Sequence, residues 1–211
     1  MYVPAHFRPD EADVRQLLER HGAADLITST PAGLLATMLP FIYVPGDGGL
    51  ETGSLRGHVA RNNAQWREPA EGNALVIVRG PDAYVTPAWY ETKREHGRVV
   101  PTWNYITAHV HGRLVIHDDA AWVEENVRRL TEKYEVGRAD GWSVDDAPAT
   151  FISGQLRAIV GVEVLIERVE GKFKLSQNRS QADVDGVIAG FDALGSSHIA
   201  TAMRTANERR T

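Results

Sequence analysis

The sequence predicts an α+β fold in which an antiparallel β-barrel is flanked by helices packed on its outside. Short turns join successive strand-like segments, which suits antiparallel pairing and not a doubly wound parallel sheet. The pattern contains about seven strands and five helices, and the last two helices follow one another at the C-terminal end. The 211 residues fit one domain. We therefore expect a single domain over residues 1–211, with residues 179–211 as a C-terminal helical extension.

Composition excludes several classes of protein. Hydrophobic residues make up 43% and charged residues 24% of the chain, as in globular proteins and unlike disordered ones. The absence of cysteine excludes disulfides, thiolate nucleophiles and zinc fingers, and favours a reducing compartment. The most apolar stretch, residues 34–44, is far shorter than the ~20 residues of a membrane span. The N-terminal segment does not resemble a signal peptide, so we expect a cytoplasmic protein without membrane contact.

Helical periodicity and capping residues predict the helices. The first runs from Asp10 to Gly22 and buries one face that includes Leu18 and His21. A second begins after Asp118 and ends at Gly137, and a short one is predicted over residues 149–157. Two closing helices cover residues 180–194 and 196–207, on either side of Gly195. A further short helix is predicted over residues 57–66.

Apolar and alternating segments predict the strands. The first two strands form a hairpin. The second must lie at a sheet edge or be interrupted at Pro40, because proline has no backbone N–H to donate to a neighbouring strand. The length of the segment 99–117 indicates a bent strand. The last segment, 159–176, is either a hairpin or one long strand. The predicted strands cover residues 26–30, 34–44, 50–55, 73–80, 83–87, 99–117 and 159–176.

The segment 53–63 is the most polar part of the chain and a candidate anion site. If a strand ends at Gly57 and a helix follows, free backbone N–H groups at the helix start favour a phosphate. Arg56, His58 and Arg61 add positive charge. The alternative is a solvated basic turn. Neither a P-loop nor a dinucleotide-binding glycine motif is present.

Other candidates are aromatic pairs and histidines. Two proline-flanked pairs, in residues 87–90 and 101–105, can form a slot for a planar ligand or fill the ends of the barrel. His109 and His111 face one side of a strand, but no carboxylate lies at metal-site spacing, and a third ligand would have to come from elsewhere in the chain, for example from His58 or His117. We assign no metal site. We also assign no catalytic residue, since no nucleophile motif or general acid or base stands out.

Motifs along nearly the whole chain resemble the PaiB family of FMN-binding proteins, described as negative transcriptional regulators. The Trp-Asn-Tyr and Ser-Gln-Asn runs are the most specific of them. The motifs are residues 1–7 (MYVPAHF), 36–41 (ATMLPF), 57–62 (GHVARN), 86–90 (TPAWY), 100–105 (VPTWNY), 109–112 (HVHG) and 172–178 (KFKLSQN).

The resemblance implies an FMN-binding split β-barrel, related to pyridoxamine phosphate oxidase, that forms homodimers with FMN in a groove between subunits. The FMN phosphate is expected at residues 58–62, with Arg61 as its main cation and Lys174 as the next basic candidate. The strand that carries Thr37 is expected to face the flavin ring. The FMN-binding residues implied are Thr37, Met38, Leu39, His58, Arg61, Asn62, Thr102, Trp103, Asn104, Lys174 and Gln177.

Three functions stay open at this point. The first is a flavin-binding transcriptional regulator, the second an FMN-dependent oxidoreductase on a small substrate, and the third a binding protein for haem or another planar ligand. The closing helices resemble a helix-turn-helix. Residues 179–211, however, carry four arginines against four acidic residues, so DNA binding is possible but has no support from local charge.

Overall fold

The structure is a computed structural model that describes residues 1–67 and 73–208. Seven strands are described, at Ala23–Thr30 (β1), Gly33–Pro40 (β2), Ile42–Gly46 (β3), Gly49–Ala60 (β4), Asn73–Val85 (β5), Thr102–His117 (β6) and Ile159–Lys174 (β7). The described α-helices are Glu11–Arg20 (α1), Thr92–His96 (α2), Ala120–Glu135 (α3), Ala149–Arg157 (α4), Gln181–Ala193 (α5) and Ser197–Glu208 (α6). Short 3-10 helices lie at Ala5–Phe7, Ala64–Trp66, Pro87–Trp89 and Val144–Asp146.

The strands form one sheet in the order β2-β1-β5-β6-β7-β4-β3. β1 and β2 pair as an antiparallel hairpin, from Ala23 opposite Pro40 to Thr30 opposite Gly33. β4 pairs antiparallel with both β3 and β7. This antiparallel sheet with flanking helices confirms the predicted α+β fold class. No helix in the described ranges is long and apolar enough to cross a membrane.

The chain packs as two compact units. Unit 1 comprises the described residues of Met1–Val14, Arg79–Ala108 and Gly171–Thr211, and unit 2 those of Arg15–Val78 and His109–Glu170. No observation tests the expected single domain, which stays a prediction.

The core of unit 1 is built around α5 and α6. Trp89 packs edge to face on Phe191 with ring centroids 5.1 Å apart. A Cβ atom at Gly190 would lie 2.3 Å from the Trp89 ring, so only glycine admits the indole at this position of α5. The buried apolar residues of this core are Val85, Tyr90, Leu175, Val184, Val187, Phe191, Ile199, Ala200 and Met203.

Helix α3 covers part of the sheet in unit 2. The Trp122 ring stacks on His117 with centroids 3.9 Å apart and an interplanar angle of 6°. A Cβ atom at Gly161 would lie 2.3 Å from Trp122, so glycine on β7 makes room for the indole. Asp119 caps the helix by accepting a hydrogen bond from the Trp122 backbone N–H at 2.8 Å. The sequence predicted this helix correctly within two residues at each end.

The structure corrects three predictions. The strands predicted over residues 73–80 and 83–87 are one strand, Asn73–Val85. The prediction of a helix over residues 57–66 is wrong, because β4 continues to Ala60, which pairs with Ile159 of β7. The predicted strand 34–44 is two strands, since β2 ends at Pro40 and β3 begins at Ile42. The open alternative at residues 159–176 is resolved in favour of one long strand, Ile159–Lys174.

Candidate functional site

The predicted FMN-binding residues divide between the two units. Unit 2 holds Thr37, Met38, Leu39, His58, Arg61 and Asn62. Unit 1 holds Thr102, Trp103, Asn104, Lys174 and Gln177.

In unit 2, the turn that carries Arg61 and the exposed Asn62 is fixed to strand β2 and its partner β1. The Asn63 side chain donates a hydrogen bond to Thr37 Oγ1 at 2.9 Å. Gln65, only 2% exposed, donates from Nε2 to the Leu26 carbonyl at 3.1 Å and to Thr28 Oγ1 at 3.0 Å. The Gln65 amide nitrogen is thus satisfied, whereas its buried Oε1 has no partner among the described residues. These contacts join the turn that follows Arg61 to the predicted flavin-facing strand and its neighbour.

Sequence reasoning missed Asn63 and Gln65 as the residues that position this turn. The Asn63 carboxamide oxygen accepts a hydrogen bond from the Gln65 backbone N–H at 2.8 Å and caps the 3-10 helix. An asparagine two residues before a glutamine at a turn is the available signal. The contacts to β1 and β2 could not be read from it, because they join residues more than 25 positions apart.

Arg61 already has partners in the structure. Its guanidinium makes a two-point pair with Asp118, with contacts of 2.6 and 3.0 Å. Nε donates to the Arg157 carbonyl at 2.7 Å and Nη2 to the Ile159 carbonyl at 3.1 Å. The hydrogen bond to Arg61 holds the pKa of Asp118 below its ordinary value, so the pair is ionised at neutral pH. An anion that binds Arg61 must therefore replace Asp118.

This replacement is energetically modest. The side chains of Arg61 and Asp118 are 36% and 52% exposed, and the attraction in an ion pair this exposed is weakened by water and salt. A phosphate carries nearly two negative charges and forms strong charge-assisted bonds with arginine. It can therefore compete with a single carboxylate for the guanidinium.

His58 lies within β4 and not at a helix start, so its backbone N–H is not part of an anion-binding helix terminus. It pairs with Gly161 of β7, the residue that Trp122 covers. Burial lowers the pKa of His58, so the ring is neutral at pH 7 and supplies no charge to a phosphate. Its Nδ1 atom is buried and has no hydrogen-bond partner among the described residues. This nitrogen is an unused polar atom next to the candidate turn.

Strand β2 presents an apolar face. Leu34 is 75% and Met38 70% exposed, and Ala36 between them is exposed as well. Leu39 points the other way, is 4% exposed and packs over Gly57, where a Cβ atom would lie 2.9 Å from Leu39 Cδ1. The backbone alternation therefore assigns Met38 and Leu39 to opposite faces.

In unit 1, four of the five predicted residues form one cluster. The Lys174 ammonium donates to Thr102 Oγ1 and to the Trp103 carbonyl, the latter at 2.7 Å. Asn104 is fully buried and donates to Ser176 Oγ at 3.0 Å. Trp103 is 49% exposed and donates from its indole nitrogen to Asp82 at 2.7 Å. The Lys174 ammonium therefore contacts the backbone beside Trp103, whereas the exposed Trp103 ring is held by Asp82.

Lys174 and Gln177 have different roles in this cluster. Burial lowers the pKa of Lys174, and one ammonium N–H has no acceptor among the described residues. The side-chain amide of Gln177 is hydrogen-bonded to the backbone. Its Oε1 accepts from Leu175 N at 2.7 Å, and its Nε2 donates to the Phe173 carbonyl at 2.6 Å. Gln177 also lines a cavity of about 270 Å³, together with His6, Arg8, Pro9, Asp10, Asp13, Phe173 and Ala206.

These groups fit the chemistry of FMN. Its phosphate requires cations and N–H donors, and each unit offers one candidate cation, Arg61 in unit 2 and Lys174 in unit 1. Its ring system requires apolar and aromatic surface with a few polar contacts, as on β2 and around Trp103. The buried Nδ1 of His58 is a further polar atom without a protein partner in the described ranges.

Comparison with known proteins identifies the family. The family model "Putative FMN-binding domain" matches residues 1–168. An uncharacterized protein of Emericella nidulans is 32% identical, over 92% of each chain. The protease synthase and sporulation protein PAI 2 of Bacillus subtilis is 31% identical, over 89% of this chain and 87% of its own.

Solved structures share the fold at low identity. A conserved hypothetical protein from Mycobacterium tuberculosis has a TM-score of 0.57 at 12% identity, over 86% of this chain and 95% of its own. The FAD and heme binding protein from Mycobacterium smegmatis has a TM-score of 0.57 at 18% identity, over 83% and 77%. The fold is a split β-barrel with flanking helices. The chain belongs to the PaiB-type family of FMN-binding domains, and its cofactor is FMN.

Proposed function

We propose that the chain is an FMN-binding homodimer with a regulatory role. The name of the Bacillus subtilis relative links that protein to protease synthesis and sporulation, and the similarity extends over 89% of this chain. The absence of cysteine suits a reducing compartment, and we place the protein in the cytoplasm.

The observation that carries the FMN site is the attachment of the Arg61 turn to β2 through Asn63 and to β1 through Gln65. In our proposal Arg61 exchanges Asp118 for the FMN phosphate, and residues 37–39 lie along the isoalloxazine ring. The residues of unit 1 that the resemblance assigns to FMN, namely Thr102, Trp103, Asn104, Lys174 and Gln177, are proposed as FMN contacts in their own right. When bound, FMN supplies a redox-active ring, which gives a regulator a means to respond to reductants.

The homodimer is supported by the exposed apolar face of β2. This strand ends the strand order of the sheet, and its face at Leu34, Ala36 and Met38 is exposed. Exposed apolar edge strands pair or aggregate unless something covers them. A second copy of the chain is the cover that we propose.

The regulatory role, in this proposal, does not depend on DNA contacts of α5 and α6. Ile199, Ala200 and Met203 of α6 are buried in the core of unit 1, and residues 179–211 have no net charge. A DNA-reading helix needs a positive footprint, which this segment lacks. An FMN-dependent oxidoreductase acting on a small substrate is the second candidate function, because FMN supplies a redox-active ring.

An absorption spectrum tests the proposal. The purified chain should bind one FMN per subunit, with quenched flavin fluorescence on titration, and should not show the Soret band of haem after haem is added. Haem binding with no FMN binding would overturn it. Multiple turnover of a nicotinamide reductant with an added acceptor would favour the oxidoreductase, whereas a single reduction of the bound flavin would favour the regulator.

A further inference from the structure

Three metal-ligating side chains meet in unit 2, apart from the residues assigned to FMN. His109 and His111 alternate along β6, and Glu170 lies on β7. Their candidate ligand atoms, one from each residue, all lie within 4.8 Å of one another, and the three residues are half-buried. β6 and β7 are neighbours in the sheet. The pairing of the two strands therefore completes the set.

The spacing agrees with a metal centre. Bonds of about 2.0–2.1 Å from a tetrahedral zinc ion to nitrogen and oxygen place neighbouring ligand atoms about 3.3 Å apart. The distance from His111 Nε2 to Glu170 Oε2 is 3.3 Å. That separation is long for a hydrogen bond between a histidine and a carboxylate. A metal ion bound by both groups would lie between His111 Nε2 and Glu170 Oε2.

A contact of the Glu170 carboxylate also agrees with a metal site. Arg168 lies 2.6 Å from Glu170 Oε1, whereas the contact with His111 is made by Oε2. Ligating carboxylates in metal sites are commonly oriented by such outer contacts.

The third ligand differs from the residues expected from the sequence. His117 is engaged by Glu163 at 2.9 Å and by the Trp122 ring, and His58 lies on β4. No carboxylate is near His109 and His111 in the sequence. Glu170, 59 positions after His111, is brought to them by the sheet.

We propose that His109, His111 and Glu170 form a binding site for a divalent transition-metal ion of the zinc type. Two imidazoles and one carboxylate are a ligand set found for zinc and for non-haem iron. Three protein ligands leave the remaining coordination positions to water. The site is independent of the FMN residues, so the two proposals can fail separately.

Titration of the full-length chain with Co²⁺ and Zn²⁺ tests the site, with no histidine tag present and with FMN added. Co²⁺ reports its coordination through visible absorption, and calorimetry gives the stoichiometry and affinity for Zn²⁺. One ion should bind per chain. His111→Ala and Glu170→Gln should each weaken binding at least tenfold. His198→Ala, which removes an exposed histidine on α6, should leave the affinity unchanged.

Glu170→Gln guards against loss of folding, because it preserves the shape of the side chain while removing the charged ligand oxygen. Its thermal melt without metal should match that of the wild type closely enough to compare affinities at 25 °C. The wild type should gain thermal stability on addition of Zn²⁺, and Glu170→Gln should gain less. Absence of binding to the wild type, or unchanged affinity in both variants, would overturn the proposal.

Discussion

At the scale of single residues, Arg61 illustrates how a binding residue can be occupied by the protein itself. Its guanidinium is directed by Asp118 and by two backbone carbonyls. These contacts hold the side chain in one orientation before any ligand arrives. Because the pair with Asp118 is exposed, we expect it to position Arg61 and to contribute little to stability.

Arg61→Ala should weaken FMN binding about tenfold to a hundredfold, since loss of one charge-assisted partner costs about 1.5–3 kcal/mol. Its thermal melt should stay close to that of the wild type. Flavin fluorescence quenching measures the affinity. Arg129→Ala, which removes an exposed arginine from α3, is the matched control. Equal FMN affinities in Arg61→Ala and the wild type would remove Arg61 from the site and move the phosphate towards Lys174.

His21 should make stability depend on pH. The residue is 4% exposed, and burial, together with the neighbouring Lys133, lowers the pKa of His21 to about 4. Between that value and the ordinary value of 6.5, the unfolded chain takes up a proton that the folded chain excludes. The contribution of the neutral His21 to the free energy of unfolding is therefore complete above pH 6.5. It is lost as the pH falls, by up to about 3 kcal/mol near pH 4.

Urea unfolding at pH 7 and pH 4 measures this dependence. His21→Gln should lose less stability over the interval than the wild type, whereas His96→Gln, at an exposed position, should follow the wild type. A His21→Gln chain with the same pH dependence as the wild type would contradict the assignment.

At the scale of secondary-structure elements, β2 shows two faces with different roles. Leu39→Ala should destabilise the protein by about 2–5 kcal/mol, because it leaves a cavity in the core over Gly57. Met38→Ala, on the exposed face, should change the free energy of unfolding by less than about 0.5 kcal/mol when it is measured at a concentration at which the chains are dissociated. Urea denaturation of the two variants compares these values directly, and equal losses would show that the strand has a different register.

Helix α6 should be required for stability. Deletion of the residues after Gly195 removes the buried Ile199, Ala200 and Met203 and should leave unit 1 unable to fold cooperatively. Arg204→Ala, at an exposed ion pair with Asp192, keeps this core intact and should melt as the wild type does. In gel-shift titrations, the full chain should show no salt-sensitive nanomolar complex with duplex DNA. A truncated chain that melts cooperatively at the wild-type temperature would contradict the structural role of α6.

At the scale of the whole molecule, the net charge affects the binding of FMN, whereas the exposed edge strand affects the association of chains. The net charge of −5 gives the anionic FMN no general attraction, so binding depends on local cations. The apolar face of β2 instead favours association of chains.

Light scattering at micromolar concentration should therefore show a species of two 23.3 kDa chains. Met38→Lys places a charge on the exposed face of β2 and should shift the mass towards that of one chain without loss of folding. Thr52→Lys, at an exposed position on β4, serves as the control. A wild type that scatters as a single chain would count against the dimer.

The sequence by itself determined the fold class and most of the elements. Periodicity and capping residues located α1, α3, α4, α5 and α6 to within a few residues, because helix signals come from neighbouring positions. It also determined the family, through motifs that are local in the chain. The prediction of a helix over residues 57–66 was wrong because strand pairing depends on residues far away in the chain. The strand character of residues 57–60 depends on pairing with β7, about a hundred positions away.

Only the tertiary structure decided what the polar residues contact. Arg61 meets Asp118 across 57 positions, Gln65 reaches Leu26 across 39, and Glu170 reaches His111 across 59. None of these pairs leaves a signal in a local pattern, since strand order brings them together. The physical reason is that a side chain's partner is set by the sheet and the packing on it, whereas its secondary structure is largely set by its neighbours in the chain.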